Sequence, residues 1–187
     1  MTEEQTIFED CQMALQNAEL LHSAEEVEKE ITRMANEITE ELGMSNPLVL
    51  PVMIGGVILA GKLIPQLNFP LQMDYIHATR YRSTTSGSKI SWLRKPEKSL
   101  EEKTVLLIDD ILDEGVTLAA IIEYCYEAGA KKVFTAVLAE KILDKEKPVK
   151  KADFVGLVIP DHYVFGYGMD YREYHRNAAG IYAVKLS

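Results

Sequence analysis

Asp109, Asp110, Asp113 and Glu114 place four carboxylates within six positions. The apolar run Val105-Leu106-Leu107-Ile108 precedes them, and Gly115-Val116-Thr117 follows. Like charges crowded at one strand end disfavour each other's ionisation, so a purely structural role is hard to justify. Chemistry offers two uses. Hard oxygen donors such as Asp109 and Asp110 suit a Mg²⁺-bearing sugar. A glycine-containing loop that opens a helix offers unpaired N–H groups and a positive dipole end, which suit a phosphate. A receiver-type acidic pocket also uses an Asp pair, but wants it after the first strand. Here the pair lies in the second half of the chain.

These residues need a scaffold. Thr104–Ile108 has the unbroken apolar character of a central parallel strand. Val116–Ala128 reads as a helix stopped by Gly129, and Lys132–Ala139 and Phe154–Ile159 read as further buried strands. Strand, helix and strand in succession predict a doubly wound α/β fold with a mostly parallel central sheet. Ligands of such sheets bind at the carboxyl ends of the strands, where the acids fall. Upstream, Leu48–Ile54 is strand-like and Gly55-Gly56 breaks it before a helical segment. Met73–Arg82 reads as one long strand, and Lys89–Leu93 as the returning arm of a hairpin. The polar stretch Ser83–Ser88 between them reads as a loop. Ser23 with Glu26 forms a capping box, and Val27, Ile31, Met34, Ala35, Ile38 and Leu42 then recur at helical spacing up to Gly43.

The net charge is −9. Residues 1–46 hold 12 acidic and 2 basic residues, whereas 47–187 hold 17 and 18. This balance argues against a nucleic-acid partner, which would need a basic footprint. The cluster Lys145, Lys147, Lys150 and Lys151 reads as a solvated loop. Cys11 and Cys125 form no C-x-x-C pair and read as reduced, buried thiols. The four histidines have no i,i+4 partner, so the H-E-x-x-H pattern is absent. No apolar run reaches the roughly 18 residues of a membrane span and no leader pattern opens the chain, so a cytoplasmic protein without membrane partners is expected.

The stretch Val105–Thr117 resembles the phosphoribosyl pyrophosphate signature of the purine phosphoribosyltransferases. Asp153-Phe154-Val155-Gly156 and Pro160–Arg176 resemble the purine-binding and C-terminal region of the hypoxanthine-guanine phosphoribosyltransferases, so that the likeness runs over roughly residues 48–185. It implies one domain over 1–187, with a core of about 48–160. A small hood would form from about 1–46 and 161–187, and a flexible hairpin lid would cover the site. The implied activity is Mg²⁺-dependent purine salvage. Hypoxanthine or guanine would displace pyrophosphate from phosphoribosyl pyrophosphate, giving the nucleoside 5′-monophosphate. The partners are then a 6-oxopurine and phosphoribosyl pyrophosphate, and the assembly a homodimer or homotetramer. Two alternatives are a xanthine-preferring enzyme and a non-catalytic nucleotide sensor on the same fold.

The same resemblance implies residue roles. Asp113 is the general base, Asp109 and Asp110 hold the ribose hydroxyls directly or through Mg²⁺, and Asp170 helps hold a second Mg²⁺. The amides from Asp113 through Glu114, Gly115 and Val116 to Thr117, with the Thr117 hydroxyl, cradle the 5′-phosphate. Met53-Ile54-Gly55-Gly56 matches the pyrophosphate loop, with a cis peptide expected between Met53 and Ile54. Arg176 contacts pyrophosphate, Lys141 donates to the purine 6-oxo group, Tyr163 stacks on the ring, and Val164 offers backbone groups to the N1/C2 edge. Tyr81 belongs to the lid. Three positions depart from the family pattern: Ile54 where Lys is common, Arg80 where Ser is usual, and Glu114 where Thr or Ser is more frequent. Arg80 is expected to add a cation near the leaving pyrophosphate; Glu114 is expected to point to solvent while its N–H serves the phosphate, the alternative being an impaired phosphate site and a weak binder.

Overall fold

The structure, a computed structural model, describes residues 2–81 and 89–185. The loop read at 83–88 lies outside the described residues. Helix α1 (Glu3–Asn17) starts at a Thr2–Gln5 capping box, and strand β1 (Glu19–Ser23) leads into helix α2 (Ala24–Leu42). The Ser23 box is formed at both ends: the Ser23 N–H donates to the Glu26 carboxylate at 2.8 Å, and the Glu26 N–H to Ser23 Oγ at 3.3 Å. The six apolar residues expected on one stripe of α2 are all buried.

Strand β2 (Leu48–Met53) and helix α3 (Val57–Leu63) follow, then the two-residue β3 (Gln72–Met73) and the hairpin β4 (Ile76–Tyr81) and β5 (Lys89–Arg94). The long strand read at 73–82 is thus two strands. Asp74 leaves the ladder because its carboxylate accepts the N–H groups of Tyr75, Glu97 and Lys98 at 2.7–2.9 Å. Next come β6 (Thr104–Leu112), α4 (Val116–Glu127), β7 (Lys132–Lys141), β8 (Phe154–Ile159), β9 (Val164–Phe165) and β10 (Gly180–Ala183). β6 and β7 each run farther than their apolar cores suggest. They pair in parallel out to Ile111–Ala139 and Leu112–Glu140, so Asp109 and Asp110 sit within the strand.

The main sheet has the order β5-β4-β2-β6-β7-β8, with β3 also on β2. Every pairing is parallel except β4 with β5. Both faces are covered, and the alternation of β6 shows how. Leu106 and Ile108 enter the core under α2 and α3, whereas Val105 and Leu107 enter the core under α4. The period-two strand geometry sends consecutive side chains to opposite cores. Cys11 and Cys125 are both free and buried, and burial pushes the Cys125 thiol up to about 12.

A second, antiparallel sheet joins distant parts of the chain in the order β1-β10-β9. Its Val164, Ile181 and Ala183 merge with the core beneath α2. Helix α1 docks on the neighbouring segment 171–175. The Tyr171 hydroxyl donates to Asp10 at 3.0 Å, Arg172 pairs with Asp10 at 3.3 Å, and His175 Nε2 donates to the Cys11 carbonyl at 2.6 Å. The ring of Phe8 meets that of Tyr174 edge-on. Among the described residues, no helix is long and apolar enough to cross a membrane.

Candidate active site

The carboxyl ends of β2, β4, β6 and β7 open into a cleft of about 800 Å³. Every residue given a role from the sequence lines it apart from Gly56, which ends the pyrophosphate loop, and Tyr81, whose side chain is not described. The lining also takes in Asp161, which had no assigned role, and Lys145, which was expected in a solvated loop.

Asp109 and Asp110 form its floor. The Asp110 N–H donates to Asp109 Oδ1 at 3.0 Å, and Asp110 is only 8% exposed. Burial raises both carboxyls, and the charge of Asp110 raises Asp109 further. The nearest compensating cation, Arg176, stands 4.0 Å from Asp110. Gly55 and Gly168 give this pair its room. A Cβ on Gly55 would come within 2.5 Å of Asp110 Cγ, and one on Gly168 would meet the Gly55 carbonyl oxygen. The peptide between Met53 and Ile54 is cis, as the resemblance implied.

The raised carboxyls have a stability signature. An acid whose pKa is raised by folding binds its proton more tightly in the folded state. Stability of the ligand-free protein therefore falls as pH rises from the ordinary carboxylate range, about 4, through the raised one. Asp109→Asn removes part of that penalty. We expect the variant to melt above the wild type at pH 8, with the gap narrowing toward pH 5. Relief of ~1 kcal/mol corresponds to about 2–4 °C for a chain of this size. Thermal melts of the ligand-free proteins across that range check it, and equal melting temperatures at pH 8 would contradict it.

On the opposite side lies Lys141, the last residue of β7 and 8% exposed. Its ammonium sits 3.1 Å from Asp113 Oδ2 and 3.4 Å from Asp161 Oδ1. A buried lysine is costly unless paired, and here it has two carboxylates. Tyr163 is half exposed beside Val164 and packs edge-on against Tyr171 at 5.6 Å.

The turn into α4 leaves its amides free. Gly115 is left-handed at φ +74° and caps the helix without a side-chain hydrogen bond, and the first turn holds no acid. Glu114, just before it, does not turn to solvent as expected. Its carboxylate is paired with Lys145 from one side and Arg80 from the other. The hydrogen bonds from Lys145 and Arg80 hold it down at about 2. Arg80, expected near the leaving pyrophosphate, is therefore engaged at the α4 end of the cleft.

Arg176 occupies the other end. It donates to the Gly168 carbonyl at 2.7 Å and pairs with Asp170 at 2.8 Å. The Asp170 carboxylate also accepts the Glu173 N–H at 2.8 Å. Nor are all four of Lys145, Lys147, Lys150 and Lys151 solvated. The Lys147 side chain is only 8% exposed, donates to the Lys141 carbonyl at 3.0 Å and lies 3.7 Å from Glu140, bracing the strand end that carries Lys141. No spacing rule marks Lys145 or Asp161, because their partners are brought in by the fold.

Comparisons with known proteins agree with this fold. A family model described as "Phosphoribosyl transferase domain" matches residues 17–173. The chain is 33% identical over 167 residues to the hypoxanthine-guanine phosphoribosyltransferase of Bacillus subtilis (strain 168), covering 89% of this chain and 92% of that protein. It is 30% identical to the protein of the same name from Aquifex aeolicus (strain VF5), covering 89% and 94%. A solved hypoxanthine phosphoribosyltransferase from Staphylococcus aureus superposes with a TM-score of 0.83 at 26% identity, over 91% of this chain and 93% of that one. With the parallel sheet, the acidic floor and the open helix end in place, the chain belongs to the phosphoribosyltransferase family, in its hypoxanthine-guanine branch.

Proposed function

We propose that this protein transfers the phosphoribosyl group of phosphoribosyl pyrophosphate to hypoxanthine or guanine, releasing pyrophosphate. The observation that carries this reading is the pair Lys141–Asp113, an ammonium and a carboxylate 3.1 Å apart on the cleft wall. A 6-oxopurine presents adjacent groups of the opposite sense, an acceptor at O6 and a proton at N7. Lys141 donates to O6 while Asp113 takes the N7 proton as N9 attacks the anomeric carbon, which is general base catalysis. Adenine turns an amino donor toward the ammonium instead. Leaving one buried polar group unpaired costs about 1–3 kcal/mol, enough for roughly tenfold to hundredfold discrimination. Tyr163 covers the purine face, and Val164 meets the N1/C2 edge through its backbone.

The α4 amides and the Thr117 hydroxyl hold the 5′-phosphate. Gly55, the neighbouring backbone of Met53 and Ile54, and Arg176 hold the pyrophosphate. The donor set fits Mg²⁺: the buried Asp110 and the partly buried Asp109, with Arg176 4.0 Å from Asp110 as the compensating cation. Among the described residues no three His, Cys, Asp or Glu side chains converge into a metal cage, so the ion would be shared with substrate oxygens. Asp109 and Asp110 would hold it by way of the ribose hydroxyls, Asp170 would help hold a second ion, and the bound metal would neutralise charge on the departing pyrophosphate. Pyrophosphate release is the test, with hypoxanthine, guanine, xanthine and adenine supplied in turn. Fast release with hypoxanthine or guanine and at least tenfold slower release with adenine are expected. No release with any purine would overturn the reading in favour of a nucleotide sensor.

A further inference from the structure

The two ends of the cleft carry separate cations. Arg176 is engaged by Asp170, Asp110 and the Gly168 carbonyl. Arg80 from β4 and Lys145 from the loop after β7 share no partner with it; both converge on Glu114. Glu114 immediately precedes the left-handed Gly115, which opens α4 without a side-chain cap. Two cations and an uncapped helix end therefore meet at one point, and the group now between the cations is a carboxylate. An arginine fork and a lysine ammonium both suit phosphate oxygens, and a dianion answers two cations where a single carboxylate answers one.

We infer that Glu114 is a resident anion, and that the 5′-phosphate of the substrate displaces it and takes over Arg80 and Lys145. The inference rests on the transferase reading and assigns both cations to the 5′-phosphate end, apart from the pyrophosphate end at Arg176. Glu114, Arg80 and Lys145 together carry one positive charge. Once Glu114 swings away, a phosphate dianion meets two positive charges and the positive end of the α4 dipole. Until then the carboxylate keeps the cations from repelling each other and holds them over the loop. Binding is thus an exchange of one anion for another, so Glu114 opposes the substrate's affinity while ordering its site.

The experiment measures the dissociation constants of inosine 5′-monophosphate and of Mg²⁺-pyrophosphate by calorimetry. It uses the full chain, the double variant Arg80→Ser/Lys145→Ser, and Glu114→Gln. The monophosphate carries a 5′-phosphate but no pyrophosphate, so the two ligands report on the two ends. In the double variant, the monophosphate constant is expected to rise threefold or more, and by a larger factor than the pyrophosphate constant. In Glu114→Gln the monophosphate constant is expected to fall. A smaller rise in the double variant, or a pyrophosphate loss as large as the monophosphate loss, overturns the assignment of the cations. A constant for Glu114→Gln that is unchanged or higher overturns the exchange, and that variant keeps the idea testable if the double variant does not fold. Wild-type protein that makes nucleotide while failing these tests loses only this inference. Wild-type protein that makes none loses the transferase reading.

Discussion

Asp113→Asn lowers turnover with hypoxanthine by about 10²- to 10⁴-fold, the usual contribution of a positioned base. Affinity for phosphoribosyl pyrophosphate is expected to stay within about threefold. The amide keeps the size and position of the carboxylate and leaves the α4 amides untouched, but it cannot accept the purine proton. The fold should tolerate the change. Lys141 keeps Asp161 as a partner at 3.4 Å, so no buried ammonium is stranded. The informative comparison is between turnover at saturating substrate and direct binding of phosphoribosyl pyrophosphate. Wild-type turnover would remove Asp113 from its role. A parallel loss of turnover and binding would make it a structural part of the phosphate loop.

Gly55→Ala deletes no functional group, yet it is expected to cost at least tenfold in turnover per unit phosphoribosyl pyrophosphate. The added methyl would sit within 2.5 Å of Asp110 Cγ. That carboxylate has little space to retreat. It is 8% exposed, its own Cβ lies 3.1 Å from where a Gly168 Cβ would stand, and Arg176 approaches from the other side. Overpacking of this kind costs typically about 1–3 kcal/mol, or roughly 2–12 °C in melting temperature here. Gly61→Ala is the matched control. Nothing lies within 4 Å of a Cβ there, and the position is inside α3, so alanine should hold or raise the melting temperature. Gly55→Ala kinetics indistinguishable from wild type would mean that the Asp110 carboxylate is not needed where it stands.

What could be read from the sequence was local. The Ser23 capping box and the stripe from Val27 to Leu42 fixed α2 to the residue, because both signals lie within the helix. The acids of β6 stood out because four carboxylates beside an apolar strand are improbable without a ligand. The remainder depended on distant partners. Helix α1 shows no clean stripe, since Phe8, Met13 and Leu15 stay largely exposed and only Cys11 is fully buried. β9 and β10 are two and four residues long, too short for any period, and exist because β1 pairs with β10. Lys141 is unremarkable as a residue type, and the family resemblance singled it out. The pairing of Glu114 with Arg80 and Lys145 spans 34 and 31 positions, and no pattern of residue types along the chain announces such a contact.

The docking of α1 on residues 171–175 bears on how the protein should be handled. Thr2, Glu4 and Ile7 border a shallow depression together with Glu173, and Glu173 also lines the main cleft. The first helical turn is therefore one side chain removed from the wall that carries Asp170 and Arg176. A cut that frees α1 would take away the partners that Asp10 and Cys11 give to Tyr171, Arg172 and His175. Rates measured with and without an affinity tag at this end would show whether the wall that carries Asp170 and Arg176 responds to it.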